Sequence, residues 1–197
     1  MNRSASVQAE LPVLSFPTTV AFGAWLADHH ETSAGLWLKI ARKGSGGESV
    51  TYAEAVDLAL CHGWIDSQAK SFDDAHWLQR FTPRKPRSKW SKVNCDKVTR
   101  LIESGEMRPA GLREVERAKA DGRWDAAYDS PRTATVPDDL QAALQREAVA
   151  REFFAGLDSR NRYAILHRIA DAKKPETRAR RIEKYVTMLA RKEKLYP

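Results

Sequence analysis

The sequence predicts an α+β fold, with a small mixed β-sheet and flanking helices followed by an all-helical C-terminal region. Two observations lead to this prediction. Over the first half of the 197 residues, periodic segments follow the order helix, strand, helix, strand, strand. From Trp90 onwards, apolar residues recur only at helical spacing. A chain of this length is able to bury one good core.

The first elements follow from capping residues and periodicity. Residues 1–15 lack a periodic pattern and are predicted to form a flexible lead. Thr18 or Thr19 provides a helix cap, because a threonine oxygen accepts from the free N–H groups of a first turn. A strand with alternating apolar residues follows at residues 36–42. In the helix that this threonine caps, Phe22, Trp25, Leu26 and His29 recur at i, i+3, i+4 and i+7.

A second helix and a hairpin come next. Thr51 and Glu54 have the spacing of a capping box, and Gly63 ends the helix. Residues 64–68 and 76–81 have strand composition with turn residues between them, which predicts a β-hairpin. The predicted inward face of this helix is Tyr52, Ala55, Val56, Ala59 and Leu60.

The remainder of the chain is predicted to be helical. One helix begins at Ser91 or Asn94, has Val98, Leu101 and Ile102 inward, and ends at Gly105. The other predicted helices are Pro109 to Gly122, 138–156, 160–172 and 175–192. The predicted domains are a flexible lead (1–15), an α+β core (16–130), a linker (131–137) and a helical region (138–197) packed on the core.

Composition narrows the class of protein. No apolar run approaches the roughly 18 residues that a membrane span needs, and the N-terminus lacks the pattern of a secretory signal. Cys61 and Cys95 are too few for a disulfide framework, which predicts a cytoplasmic protein with reduced thiols. We find no pattern for a catalytic residue, a metal site or a cofactor.

The net charge of +7 is concentrated in two blocks. Residues 76–100 and residues 158–197 each have a net charge of +7, and the segments before and between them are acidic. Concentrated positive charge attracts anions far better than the same charge dispersed. The natural partners are nucleic acid, anionic lipid headgroups or an acidic protein, although a basic surface also serves solubility alone.

The basic segment 80–92 is the most distinctive part of the first block. Two prolines bias it towards extended geometry, so its cations are splayed outwards. We expect these cations to contact phosphates while flanking aromatic rings stack on bases. The alternative is an exposed connector whose aromatic rings enter the core. The candidate binding residues are Arg84, Lys85, Arg87, Lys89 and Trp90.

A second candidate site is a pocket around Trp64, Asp66, Arg80 and Trp90. If the hairpin pairs Asp66 with a basic residue of the neighbouring strand, the ion pair beside a tryptophan is able to orient a polar ligand. The same pair is equally compatible with a structural salt bridge.

The third candidate is a basic ridge within residues 173–184. Arg178, Arg181 and Lys184 are three residues apart and share one face of the last predicted helix, opposite its apolar stripe. Such a face suits a phosphate backbone or an acidic partner. A solvated helix face is the alternative.

Several motifs resemble the bacterial YdeI/OmpD-associated family, whose members are labelled bacteriocin-protection proteins. The resemblance runs from about Gly35 to the C-terminus and implies a bacterial protein associated with protection against bacteriocins or envelope stress. It carries no reaction, cofactor or catalytic residue. The motifs are Trp37-Leu38-Lys39, Tyr52-Ala53-Glu54-Ala55, Gly63-Trp64-Ile65-Asp66, Gln79-Arg80-Phe81-Thr82-Pro83-Arg84, Ser88-Lys89-Trp90-Ser91 and Ala172-Lys173-Lys174-Pro175-Glu176-Thr177-Arg178.

The sequence thus predicts a non-enzymatic binder of an anionic partner, with nucleic acid as the first candidate. Its contacts are expected from segments 80–92 and 173–184. Two alternatives stay open. One is an enzyme or small-ligand sensor that uses the pocket around Trp64 and Arg80. The other is an adaptor that binds an acidic protein.

Overall fold

The computed structural model describes residues 10–197, so the first nine residues of the predicted flexible lead lie outside it. The chain divides into two compact units. The first takes the residues up to Trp90 together with Asn94–Ala126, and the second comprises Ser91–Val93 and Ala127–Pro197. The first unit contains the sheet and the second is dominated by helices, which confirms the predicted α+β class.

A four-stranded mixed sheet organises the first unit, in the order β1-β2-β4-β3. β1 runs parallel to β2, and β4 pairs antiparallel with β2 and with β3. The predicted hairpin is therefore present, as β3 and β4. The sequence assigned no element to the segment that forms β1. The strands are β1 (Val13–Leu14), β2 (Leu36–Ala41), β3 (Trp64–Ser71) and β4 (His76–Pro83).

Two helices, α1 (Thr19–His29) and α2 (Tyr52–Cys61), accompany the inner face of the sheet. Thr18 caps α1 by accepting from the Ala21 N–H, and Thr51 with Glu54 forms the predicted capping box of α2. Tyr52 was predicted to face inward but is 41% exposed. It is the first residue of α2, ahead of the apolar stripe. The buried core includes Phe22, Leu26, Leu36, Leu38, Ile40, Ala55, Val56, Ala59, Leu60 and Phe81.

Helices α3 (Lys92–Glu103) and α4 (Pro109–Ala120) follow the sheet. The buried side chains of α3 are Cys95, Val98 and Leu101, which are spaced by three residues. The prediction that Ile102 points inward is wrong, because it lies one residue beyond this stripe, about 100° further around the helix. α4 approaches the end of α2 at Gly111, which is buried.

The second unit contains four helices around an apolar core. They are α5 (Asp138–Gln145), α6 (Ala148–Ala155), α7 (Ser159–Ala170) and α8 (Pro175–Ala190). The single helix predicted over 138–156 is instead two, because the backbone of Glu147 is extended. This break lets α5 and α6 each pack on α8. The core is Leu140, Leu144, Ala150, Phe154, Leu157, Ile165, Leu166, Ile169, Ile182, Tyr185 and Leu189.

Candidate functional site

Arg84 and Trp90 close the loop that follows β4. Arg84 is 6% exposed, and its guanidinium carbon lies 3.5 Å from the centre of the Trp90 ring. One of its N–H groups also donates to the backbone oxygen of Lys89, at 3.1 Å. Trp90 is 2% exposed and packs against Trp124, with 5.1 Å between ring centres. In this structure both side chains hold the loop together and are covered from solvent.

The tip of the same loop presents its cations to solvent. A tight turn joins Lys85 to Ser88: the Lys85 N–H donates to the Ser88 hydroxyl, and the Ser88 N–H donates back to the Lys85 carbonyl, both at 2.9 Å. Arg123 donates to the Ser88 carbonyl at 2.7 Å and fixes the turn from outside. The exposed cations of the predicted set are Lys85, Arg87 and Lys89.

The structure does not bring Asp66 and Arg80 together. Asp66 is opposite Phe81 in the β3–β4 pair, so Asp66 and Arg80 project from opposite faces of the sheet. Asp66 instead accepts a hydrogen bond from the Tyr52 hydroxyl at 2.7 Å. Trp64 is 1% exposed, and its indole N–H donates to the His30 carbonyl at 3.1 Å.

The outer face of the sheet, opposite α1 and α2, combines aromatic and cationic side chains. We define this outer sheet face as Trp37, Lys39, Lys70, Phe72, Leu78 and Arg80. The Lys70 ammonium lies 4.3 Å from the centre of the Trp37 ring, and the Lys39 ammonium lies 4.8 Å from that of Phe72. Leu78, which pairs with Lys39 and Lys70 in the sheet register, is buried.

The charge of the outer sheet face is mainly positive. Lys39, Lys70 and Arg80 contribute three cations, and Asp73 at one end is 3.7 Å from the Lys39 ammonium. The Nε–H of Arg80 is buried and makes no hydrogen bond to any residue in 10–197. Sequence reasoning missed this surface, although the signal was available. The alternation that buries Leu36, Leu38 and Ile40 sends Trp37 and Lys39 to the other side.

The predicted basic ridge of α8 is largely engaged within the second unit. Arg178 holds Asp139 with two hydrogen bonds, of 2.5 and 2.8 Å, and this contact lowers the pKa of the Asp139 carboxyl. Arg178 also donates to the Ile169 carbonyl, and Arg181 donates to the Arg168 carbonyl. These arginines tie α8 to the end of α7. Exposed cations on this segment are Lys173, Lys174, Arg180 and Lys184.

A cavity of about 550 Å³ in the first unit lies beside the end of α2. His30 and His62 line it with 5.4 Å between ring centres, and each donates its Nδ1–H to a carbonyl of its own helix. Burial raises the pKa of Cys61 to about 11 and lowers that of His62. A thiol with a pKa this high is largely protonated near neutral pH, which makes it a weak nucleophile.

A cavity of about 510 Å³ lies in the second unit. Its polar and aromatic lining comprises Ser159, Arg160, Tyr163, His167, Arg168 and Tyr196. Trp64, Asp66, Arg80 and Trp90 line neither this cavity nor the one beside α2.

Residues 10–197 contain neither a cluster of metal ligands nor a membrane-spanning helix. Within that range, no three histidine, cysteine or acidic side chains cluster as metal ligands would. The helices in the described part of the chain are all too short or too polar to span a bilayer.

Two different families match the first and the second part of the chain. Residues 14–114 match a family described as a domain of unknown function, DUF8412. Residues 133–192 match the family described as bacteriocin-protection, YdeI or OmpD-associated. This confirms the predicted resemblance for the C-terminal part, whereas the prediction extended it from about Gly35. No curated protein and no solved structure matches the chain. The chain therefore belongs to the DUF8412 family, and it carries in its second half a segment of the YdeI/OmpD-associated type.

Proposed function

We propose that this protein is a non-enzymatic binder of single-stranded nucleic acid, acting in the cytoplasm in a stress or bacteriocin-protection role. The observation that carries the proposal is the outer sheet face, where Trp37 and Phe72 lie among three cations. Unpaired bases stack on aromatic rings, and their phosphates pair with lysine and arginine. A flat, positively charged face with two aromatic rings fits an extended strand better than a closed duplex.

The loop after β4 extends the proposed contact surface. Arg80 lies in β4, a few residues before the loop, and Lys85, Arg87 and Lys89 are exposed at its tip. We assign these cations to phosphate contacts, which carry no sequence information and set position. Arg84 and Trp90 have a supporting role, because they brace the loop from inside. In the second unit, the exposed Lys173, Lys174, Arg180 and Lys184 are a second proposed set of phosphate contacts.

The cellular part of the proposal has separate support. The family description that matches residues 133–192 names bacteriocin protection. Cys61 and Cys95 are both free and buried, in keeping with a reducing compartment.

The proposal is tested by fluorescence anisotropy with labelled oligothymidylate and a labelled duplex, titrated with salt. We expect micromolar or tighter binding to the single strand and weaker binding to the duplex. For single strands, the log–log salt slope changes by about 0.7 for each phosphate contact. The double variant Lys39→Gln with Lys70→Gln should therefore weaken binding and flatten the slope by about 1.4.

A matched double variant controls for net charge. Arg100→Gln with Lys119→Gln removes two exposed cations from α3 and α4 and should leave the slope unchanged. Trp37→Leu separates base stacking from charge, since stacking is worth about 1–3 kcal/mol per base. If the outer sheet face instead binds an acidic protein through charge alone, the ring of Trp37 has no base to stack on. The Trp37→Leu protein should then bind oligothymidylate as tightly as the wild type does. Absence of oligonucleotide binding at low salt would refute the proposal.

A further inference from the structure

The cavity of the second unit is built largely on one face of α7. Arg160, Tyr163, His167 and Arg168 are spaced at three, seven and eight residues from the first, so their side chains share one side of the helix. Tyr196 forms part of the opposite lining. The volume of about 510 Å³ is within the range of sites that bind small organic molecules.

Two hydrogen bonds to Asn161 hold the backbone of Tyr196 in place. Its N–H donates to the amide oxygen of Asn161 at 2.9 Å, and its carbonyl accepts from the amide nitrogen of Asn161 at 3.1 Å. Asn161 is itself buried and is fixed by Asp158, the cap of α7. The ring of Tyr196 is thus presented to the cavity in a fixed position, which lowers the entropic cost of binding.

Two guanidinium groups share the ring of Tyr196. The guanidinium carbon of Arg160 lies 4.3 Å from the ring centre and that of Arg168 lies 5.7 Å from it. Arg168 also donates to the Tyr196 hydroxyl at 3.2 Å. Both guanidinium groups are thus held near one ring, and each carries a positive charge that attracts an anion.

No lining residue of the cavity is acidic. Asp129 lines a small neighbouring cavity, but its carboxylate is paired with Lys92 at 2.8 Å. The lining of the cavity therefore contributes two arginines and no carboxylate. Arginine is well suited to supply paired donors to a phosphate.

Aromatic rings occupy the other part of the lining. His167 lies with its ring centre 5.6 Å from that of Tyr163, whose hydroxyl donates to the Asp129 carbonyl at 2.9 Å. The cavity therefore has a cationic part and an aromatic part within one space. From this arrangement we propose that the cavity binds a nucleoside monophosphate, with the phosphate on Arg160 and Arg168 and the base against Tyr163 and His167. This site is separate from the outer sheet face and does not depend on it.

Isothermal titration calorimetry on the full chain tests the proposal, with adenosine monophosphate, adenosine and inorganic phosphate as separate probes. The nucleotide should bind at least about tenfold more tightly than either part, since each part makes only half of the contacts. Arg160→Gln should weaken nucleotide binding about tenfold, the usual effect of losing a charge-assisted hydrogen bond. The double variant with Arg168→Gln should abolish it.

Arg162→Gln is the matched control, because Arg162 is on the same helix but stacks on Phe154 and does not line the cavity. It should bind the nucleotide as the wild type does. Arg160→Gln should also leave oligothymidylate binding unchanged, which separates this site from the proposed function. Absence of nucleotide binding by the wild type, or equal affinity in Arg160→Gln, would overturn the inference. Phosphate that binds as tightly as the nucleotide would overturn the role of the rings.

Discussion

Replacing Gly111 by alanine should destabilise the first unit, although alanine is the better helix former. A Cβ atom at this position would lie 2.3 Å from the Cys61 carbonyl oxygen and 2.7 Å from that of Leu60. Both atoms belong to the backbone of α2, so no side-chain rotation relieves the clash. α4 must therefore move away from α2 by about 1 Å to restore an ordinary contact of 3.4 Å or more.

Three terms set the size of the effect. Overpacking of a close contact costs about 1–3 kcal/mol. The same movement stretches the hydrogen bond from the Arg108 N–H to the Cys61 carbonyl, now 3.2 Å, at a cost of about 1 kcal/mol. The higher helix propensity of alanine offsets about 1 kcal/mol of this destabilisation. We expect a net loss of about 2 kcal/mol in the free energy of unfolding.

Gly23→Ala is the matched control. Gly23 is also inside a helix, but a Cβ there would meet only the end of the Leu58 side chain, at 3.6 Å. This change should raise the free energy of unfolding by about 0.5–1 kcal/mol. All six tryptophans lie in the first unit, so urea denaturation followed by their fluorescence reports on that unit. A Gly111→Ala protein as stable as the wild type would refute the reasoning.

Three other predictions concern titratable groups. Asp139→Asn should cost the second unit about 1 kcal/mol near neutral pH, as for an exposed bidentate pair. Because Arg178 lowers the pKa of Asp139, this difference should be present above pH 3.8 and vanish as acid is added, measured by circular dichroism against urea. Cys61 and Cys95, both buried with pKa values raised to about 11, should not react with a thiol reagent near pH 8 until the protein is unfolded. Burial lowers the pKa of His62, so the folded state resists its protonation and stability should fall as pH drops below 6.5. His62→Gln should reduce that fall in melting temperature, and an unchanged pH profile would contradict this explanation.

Local signals account for the parts of the fold that the sequence predicted well. The capping box of Thr51 and Glu54 and the hairpin of β3 and β4 depend on residues close together in the chain. β1 was missed because two residues carry no measurable alternation, and their pairing partner is more than twenty residues away. The break at Glu147 was missed because the segments on both sides of it have helical periodicity, and nothing local marks the extended backbone that lets each helix pack on α8.

The candidate site shows a different limit of sequence reasoning. Charge and aromatic content identified segment 80–92 as a candidate binding segment. They did not indicate which of its side chains face solvent. Arg84 and Trp90 are buried and stack on each other, a contact that sequence spacing does not reveal. The pairing of Asp66 with Phe81, and not with Arg80, depends on the register of the hairpin, and a shift of one residue exchanges the faces.

The two edges of the sheet differ in how well they guard against self-association. β3 forms one edge, and its irregularity between Asp66 and Ala69 and its exposed Lys70 discourage a second chain from adding there. At the other edge, within residues 10–197, the two residues of β1 pair with the apolar strand Leu36–Ala41, and the Ser49 hydroxyl accepts from the Ala41 N–H. β1 therefore shields the backbone of an apolar strand, and detaching it would expose an edge at which a second chain is able to add.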